Sequence, residues 1–425
     1  MEGRPVRILI LNNLFPPHVL GGYEIGCRNV AVGLHDRGHV VEVLAAHAPI
    51  ATPDDPPWLH RVLALRVFDP IDPHTVELGE AKSYEAACSL HANTATLLAQ
   101  LRRFRPDLVY AWHVWGIGGL ALLDAVEQVG IPWVMHLMDC VPTYLTTDVV
   151  PIAAALFVRD DAALLTRARV IAMSEHVLAE IANRSGIRFD AAPTVIPGWV
   201  DARGLDQRTR YRERGELRLV AASSLGTHKG TDLIIEACAS LLAEGHTRFH
   251  VDIYGFGPAE PWVTLAAQRG VTAHVDFLGA RTQPEILALL PRYDAFLFPT
   301  QDREPFGFAP IEAAACGAVP IVTRSAGCAE RLVDGVHALK IDRTAGSLAT
   351  AIAQLLTGEV DVASLGRRAA RLARGDLSFD RCLDAIEGVL TGAVHPWDPQ
   401  RLHDQRLPAL LYAKHALGQY LTAFR

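Results

Sequence analysis

One pattern constrains this chain more than any other, and it occurs twice: a short run apolar on both faces, a loop of turn formers, then a helical period closed by glycine. Val6-Arg7-Ile8-Leu9-Ile10-Leu11 is the first such run, and Asn12 to Gly22 form the loop. Tyr23 to about Arg37 carry the helical period, Gly38 ends it, and Val40-Val41-Glu42-Val43-Leu44 begins the next run. Strands apolar on both faces belong to parallel sheets covered by helices. The segment therefore reads as a βαβ unit of a doubly wound sheet. The pattern continues with a helix predicted over Tyr84 to Arg103, a strand over Leu108 to Ala111, a helix over Gly118 to Gln128, and strands over Trp133 to Leu137 and Val170 to Met173.

The series restarts with a strand predicted over Leu217 to Ala222, a helix over Gly230 to Ala243, and strands over His250 to Tyr254 and Val275 to Leu278. A helix over Pro284 to Leu290, a strand over Ala295 to Phe298, a helix over Pro310 to Cys316 and a strand over Val319 to Thr323 follow. Residues 196 to 216 are rich in arginine, poor in apolar residues, and read as a linker. The expected α/β organisation is a Rossmann-like domain over 1-200, a second over 201-390, and a C-terminal helical segment over 391-425. In that segment Leu407, Leu410, Leu411, Ala413, Leu417 and Leu421 fall near helical spacing and need a surface to pack on.

Composition removes several function classes. A net charge of -7 argues against unspecific nucleic-acid binding, which needs a basic stripe. The longest apolar run, Val149 to Val158, is about half of the roughly 20 residues a membrane-spanning helix requires. Residues 1 to 185 hold 14 Lys and Arg against 20 Asp and Glu, no surplus for an anionic lipid surface, so neither integral nor peripheral membrane association is expected. Ile8 to Leu11 is too short for the apolar part of a signal peptide, and a cytoplasmic protein is expected. Seven scattered cysteines without a Cys-x-x-Cys pair suggest neither a disulfide framework nor a zinc site.

Ligands of doubly wound folds bind at the carboxyl ends of the strands, so the loops after strands carry the chemistry. After the first strand, Gly21-Gly22 opens a helix, either as a place where backbone N-H groups approach an anion or as a plain turn. After Leu217 to Ala222 comes Ser223-Ser224-Leu225-Gly226-Thr227-His228-Lys229-Gly230. A lysine at a helix start repels the dipole unless an anion sits between them, which makes Lys229 a phosphate-ligand candidate beside its reading as a solvated side chain. The third loop runs Glu304-Pro305-Phe306-Gly307-Phe308-Ala309-Pro310-Ile311-Glu312-Ala313-Ala314-Ala315-Cys316-Gly317. Pro310 fits a first helical turn and places Glu312 in it, where the carboxylate meets either helix N-H groups or vicinal ligand hydroxyls. If all helix, the eight residues from Glu304 to Glu312 would span about 12 Å, too far for a glycosidase pair.

Glu304-x7-Glu312 with the following Ala-Ala-Ala-Cys-Gly-Ala-Val-Pro, Gly255-Phe-Gly-Pro258, Phe277-Leu-Gly279, Lys229-Gly230, Phe15-Pro-Pro-x-x-x-Gly-Gly22 and Gly38-His39 together resemble the retaining GT-B glycosyltransferases of the sucrose synthase and phosphatidylinositol mannosyltransferase type. The resemblance runs over nearly the whole chain. It implies two facing Rossmann-like domains with a C-terminal helix crossing back to the first, a nucleotide-diphosphate sugar as co-substrate, and a small hydroxyl acceptor such as a sugar or natural product. It implies further that Glu312 holds ribose hydroxyls, Glu304 meets the sugar, and Lys229 neutralises the diphosphate. Gly21, Gly22 and the amides from Phe306 through Gly307 and Phe308 to Ala309 would lie near phosphate or sugar, and the loop at Phe277 and Leu278 would meet the base. No metal and no further cofactor is expected. Where the resemblance would have an arginine the chain has Ser224, with Arg281 or Arg303 as substitutes; where it would have a histidine the chain has Met138. His136 is then a catalytic candidate or a core histidine, with His113, Trp115 and Asp139 as acceptor-side candidates. An epimerase of the same fold and a nucleotide-sugar-binding accessory subunit are the alternative readings.

Overall fold

The computed structural model describes residues 4–19, 21–47, 54–66, 90–146, 164–208, 215–300 and 304–403. The described chain divides into two compact units: residues up to Met173 with Val177–Ile196 and everything from Leu383 onward, and Ser174–His176 with Pro197–Cys382.

In the first unit β1 (Arg7–Asn12), β2 (Val40–Ala46), β3 (Leu59–Leu63), β4 (Leu108–His113), β5 (Trp133–Leu137), β6 (Arg169–Ala172) and β7 (Thr194–Val195) form one sheet in the order β3-β2-β1-β4-β5-β6-β7. Every neighbouring pair is parallel. Ile8, Leu9, Ile10 and Leu11 are all fully buried, which is why the middle of β1 is continuously apolar rather than apolar at every second position. The helices α1 (Gly22–Asp36), α2 (His91–Phe104), α3 (Gly119–Val129), α4 (Val141–Thr146) and α5 (Glu175–Ser185) alternate with the strands. The part of the predicted 84–103 helix before Leu90 lies outside the described residues. One core runs through Leu9, Leu11, Leu97, Leu101, Val109, Leu122, Met135 and Leu137. Each such fully buried side chain is worth about 1.5–3 kcal/mol.

The second unit holds β8 (Leu217–Ala222), β9 (Phe249–Tyr254), β10 (Val275–Gly279), β11 (Ala295–Phe298), β12 (Val319–Thr323) and β13 (Leu339–Ile341), ordered β10-β9-β8-β11-β12-β13 and again parallel throughout. Its helices are α6 (Thr231–Ala243), α7 (Glu260–Gln268), α8 (Gln283–Leu289), α9 (Phe308–Ala315), α10 (Ala345–Thr357) and α11 (Val362–Arg374); α12 (Phe379–Thr391) starts in this unit and from Leu383 onward belongs to the first. Both sheets thus start in the middle, grow to one edge, and jump back across their first strand. The jump falls between β1 and β4 in one unit and between β8 and β11 in the other, and it opens a crevice at the carboxyl ends of those strands.

The stretch read as a linker is, where described, built into the second unit. Arg208 sits only 8% exposed, 2.7 Å from Asp294, and donates to the Tyr293 carbonyl at 2.7 Å. Trp199 packs on Phe308 and Phe379, and Val200 bridges to Ser378. Its arginines raised the polarity of the sequence, but Arg208 is an internal ion-pair partner. The C-terminal segment packs on the first unit as far as it is described: Leu402 joins that core, Arg102 donates to the Leu402 carbonyl at 3.0 Å, and Trp397 donates to the Pro106 carbonyl at 2.9 Å. The helix predicted over Leu407 to Leu421 lies outside the described residues, as does the run Val149 to Val158. Among the described residues no single helix is long and apolar enough to cross a membrane. Six cysteines are buried thiols in no disulfide, and Cys88 lies outside the described residues.

Candidate functional site

The loops that leave β8 and β11 meet at the strand-order reversal of the second unit. After β8 the chain makes a single 3-10 turn over Thr227–Lys229 and then enters α6. Two glycines allow the close approaches that hold this turn. A Cβ on Gly230, whose φ is +77°, would stand 2.2 Å from the Pro299 carbonyl oxygen, so the turn presses backbone to backbone on the end of β11. A Cβ on Gly255 would stand 2.0 Å from the Ser223 carbonyl oxygen, and Leu225 N-H donates to the Phe256 carbonyl at 2.9 Å. The segment Gly255-Phe-Gly-Pro258 is therefore a rail for the β8 loop.

After β11 the Glu304 loop is pinned from behind. Gly327 N-H donates to the Glu304 carbonyl at 2.9 Å, Cys328 N-H to the Phe306 carbonyl at 2.7 Å, and a Cβ on Gly327 would stand 1.9 Å from the Pro305 carbonyl oxygen. Gly307, with φ +89°, forms the N-cap of α9 and itself offers no side-chain cap. The helix begins at Phe308, two residues before the predicted start, because a proline fits anywhere in a first turn whose N-H groups have no intrahelical acceptor. Glu312 accordingly lies in the second turn, past the helix N-H groups that a first-turn carboxylate would satisfy.

The two acidic groups have different partners. Glu304 Oε2 is 2.6 Å from Lys229 Nζ, with the side chains 15% and 26% exposed. Glu312 Oε1 accepts from Gln283 Nε2 at 2.5 Å, Gln283 being the first residue of α8. Burial pushes the Glu312 carboxyl above its usual range, and the Gln283 hydrogen bond offsets part of this. Sequence reasoning missed both pairings and missed Gln283 altogether, which belongs to no motif. Ser224 Oγ is 3.1 Å from His228 Nε2. Phe277 leans on the core, while pairing slips between Phe277 and Gly279 and leaves Leu278 37% exposed. Phe308 and Ala309 are half-buried in the first turn of α9. Arg281 is exposed, its guanidinium on the Ala280 carbonyl, and Arg303 lies outside the described residues.

One cluster among the described residues has metal-ligand spacing: His250, Asp252 and Asp276. It sits near the amino ends of β9 and β10, and its charges already have partners. Arg218 is 3.7 Å from Asp252, the Tyr293 hydroxyl donates to Asp252 at 2.5 Å, and His250 lies 3.1 Å from Asp276.

In the first unit, Gly21 is the N-cap of α1 and its N-H donates to Glu24 Oε2 at 3.1 Å; Gly22 is the first helical residue. His113 ends β4, its ring edge-on to Tyr23 with centroids 5.3 Å apart. Burial pulls its pKa down to about 4, opposed by the Asp139 charge. Asp139 accepts from the Cys140 N-H at 2.7 Å, and Trp115 packs against Tyr144. His136 does not join them. It is fully buried, its Nδ1 is 2.5 Å from the Tyr110 hydroxyl, and its ring stacks near Trp112 with centroids 4.4 Å apart. Burial pulls its pKa to about 3. A neutral ring on β5, set against Tyr110 and Trp112 of β4, fits the core-histidine reading of His136.

Residues 20–203 match the family described as Glycosyltransferase Family 4, and residues 206–372 match Glycosyl transferases group 1. The glycogen synthase of Mycobacterium tuberculosis is 28% identical over 394 residues, covering 88% of this chain and 91% of its own. A GDP-mannose-dependent alpha-(1-6)-phosphatidylinositol monomannoside mannosyltransferase of Mycolicibacterium smegmatis is 31% identical over 173 residues, covering 38% of this chain and 45% of its own. Among solved structures, HepE of Anabaena in complex with UDP and glucose superposes with a TM-score of 0.65 at 18% identity, covering 91% of this chain and all of that one.

Proposed function

We propose a reaction for this chain, which belongs to the GT-B glycosyltransferases: transfer of a hexosyl group from a nucleotide-diphosphate sugar to an acceptor hydroxyl, with retention and without a metal. The observation that carries the reading is the Lys229–Glu304 contact at the strand-order reversal of the second unit, beside a helix start whose N-cap is a glycine. A cation, a carboxylate and the backbone N-H groups of a helix start at one carboxyl edge suit a ligand that is anionic at one end and rich in hydroxyls at the other.

In this reading Lys229 and the first-turn amides of α9, with Gly307, compensate the diphosphate. Glu304 turns to the sugar hydroxyls, and Glu312 with Gln283 takes the ribose hydroxyls. The backbone at Phe277 and Leu278 borders the base. The C1–O bond to the diphosphate breaks and a C1–O bond to the acceptor forms on the same face. The acceptor proton passes to the departing diphosphate oxygen, so stabilising that anion is the main catalytic task. In the first unit His113, Trp115 and Asp139 are the acceptor-side candidates, favouring a small sugar or natural product, while Gly21 and Gly22 belong with the phosphate or sugar of the donor. A cytoplasmic location belongs to the same reading.

The test is turnover of UDP-, ADP- and GDP-hexoses by the purified chain with simple sugar acceptors, reading free diphosphate and the anomer of the product by NMR. An inverted anomer overturns the retaining mechanism, and neither binding nor turnover of any of these donors overturns the reading as a whole.

A further inference from the structure

We propose that Ser224 and His228 form a second phosphate-contacting group, sharing the diphosphate of the nucleotide with Lys229; this rests on the nucleotide site proposed above. The argument starts from charge. Within Ser223–Gly230 the one fixed cation is Lys229, and Glu304 already holds it at 2.6 Å. A nucleoside diphosphate brings two to three negative charges to this loop, and one shared ammonium with the first-turn amides of α9 leaves phosphate oxygens for further donors.

The geometry supplies the missing donors. The His228 imidazole and the Ser224 hydroxyl are 3.1 Å apart, and the pair is open to solvent. The ring has a place made for it: a Cβ on Gly226 would stand 2.5 Å from His228 Nδ1 and 2.6 Å from Cε1. Gly226 has φ 171°, extended backbone that any residue can adopt, and its lack of a side chain leaves the ring room where it stands. The turn beneath is braced, because the Thr300 hydroxyl donates to the His228 carbonyl at 3.0 Å and the Thr323 hydroxyl donates to the Thr300 carbonyl at 3.0 Å. In the ligand-free chain the two groups satisfy one another; when a phosphate arrives, hydroxyl and imidazole N-H both turn to its oxygens. The recognised chemistry is the pyrophosphate, not the ribose or base.

The experiment is calorimetric titration of the full chain with UDP, ADP and GDP, and with UMP, AMP and GMP. The wild type is expected to prefer one diphosphate over its monophosphate. His228→Ala, and His228→Phe, which fills the same space without an N-H, are expected to lose about tenfold of that preference while monophosphate affinity stays, consistent with losing a hydrogen bond to a charged group. Adding Ser224→Arg to His228→Ala is expected to restore it. A wild-type preference that survives both histidine substitutions overturns the role of the pair alone. No wild-type preference for any diphosphate overturns the nucleotide site beneath it. Thermal unfolding of each variant shows that it is folded, and His228→Phe decides the matter should the alanine variant not be.

Discussion

Lys229 Nζ lies 2.6 Å from Glu304 Oε2, two groups 75 residues apart that the neighbouring strands β8 and β11 deliver to one point. The pair keeps a partly buried ammonium and carboxylate compensated, and in the reading proposed above a nucleotide-sugar donor would take over both roles at once.

Glu304→Gln should therefore separate two effects. Removing the carboxylate frees Lys229, so affinity for a free nucleoside diphosphate is expected to hold or rise, while kcat for sugar transfer falls by about 100-fold or more through the lost sugar contact. Lys229→Met should weaken the diphosphate instead, by about 10- to 100-fold. Titration calorimetry and donor turnover read the two quantities. Equal loss of diphosphate affinity in both variants would contradict this division.

Glu312 is expected to discriminate ribose from 2′-deoxyribose. Wild-type chain should bind UDP, ADP or GDP about 10- to 100-fold more tightly than the matching 2′-deoxy form, and Glu312→Ala should bind the two alike. Because burial raises this carboxyl, the discrimination should weaken on acidification at a higher pH than an ordinary glutamate near 4.3 would allow. Unchanged discrimination in the alanine variant counts against the assignment.

His136 makes a stability prediction. Its folded pKa of about 3 lies below the usual histidine value near 6.5, so between those limits the unfolded chain binds the extra proton and stability falls as pH falls. From pH 6.5 to 5 this costs about 2 kcal/mol. Urea unfolding of His136→Asn should show a shallower pH dependence than wild type over that interval, whatever its stability at pH 7.

Glu387 on α12 ties that helix to the β2 entry. It is 2.5 Å from Arg37 and 3.0 Å from His39 Nε2, whose Nδ1 accepts the Val6 N-H at 3.1 Å. Burial acts to raise its carboxyl, but the hydrogen bonds from Arg37 and His39 outweigh this and hold it below the usual range. Its contribution is present above pH ~4.3 and lost as pH falls through the lowered folded value. Glu387→Gln should lower the unfolding midpoint at pH 7, by about 1–3 kcal/mol of stability, and the gap to wild type should shrink at pH 3.5. A gap independent of pH would exclude the carboxylate as its source.

The sheets were legible because parallel strands leave continuous apolar runs, and β1, β5, β8, β11 and β12 stand where those runs do. The α9 start was not, since Pro310 marks a first turn without saying which position in it, and the left-handed Gly307 that sets the boundary has no signature of its own. His136 and His113 look alike in sequence. Only the sheet shows that one points into a sealed core and the other ends its strand. Lys229 and Glu304 were each legible as chemical groups, but their contact, like that of Gln283 with Glu312 across 29 residues, is a product of strand order.

The backbone-to-backbone seats at Gly230, Gly255 and Gly327 decide how these loops can be redesigned. Gly255→Ala would drive a methyl to 2.0 Å from a carbonyl oxygen that cannot move without dislodging the neighbouring loop. Insertions or deletions here would break all three seats together. Substitutions meant to change contacts at this edge are therefore best placed in side chains such as those at 224, 228 and 283, on a frame whose loop lengths stay constant.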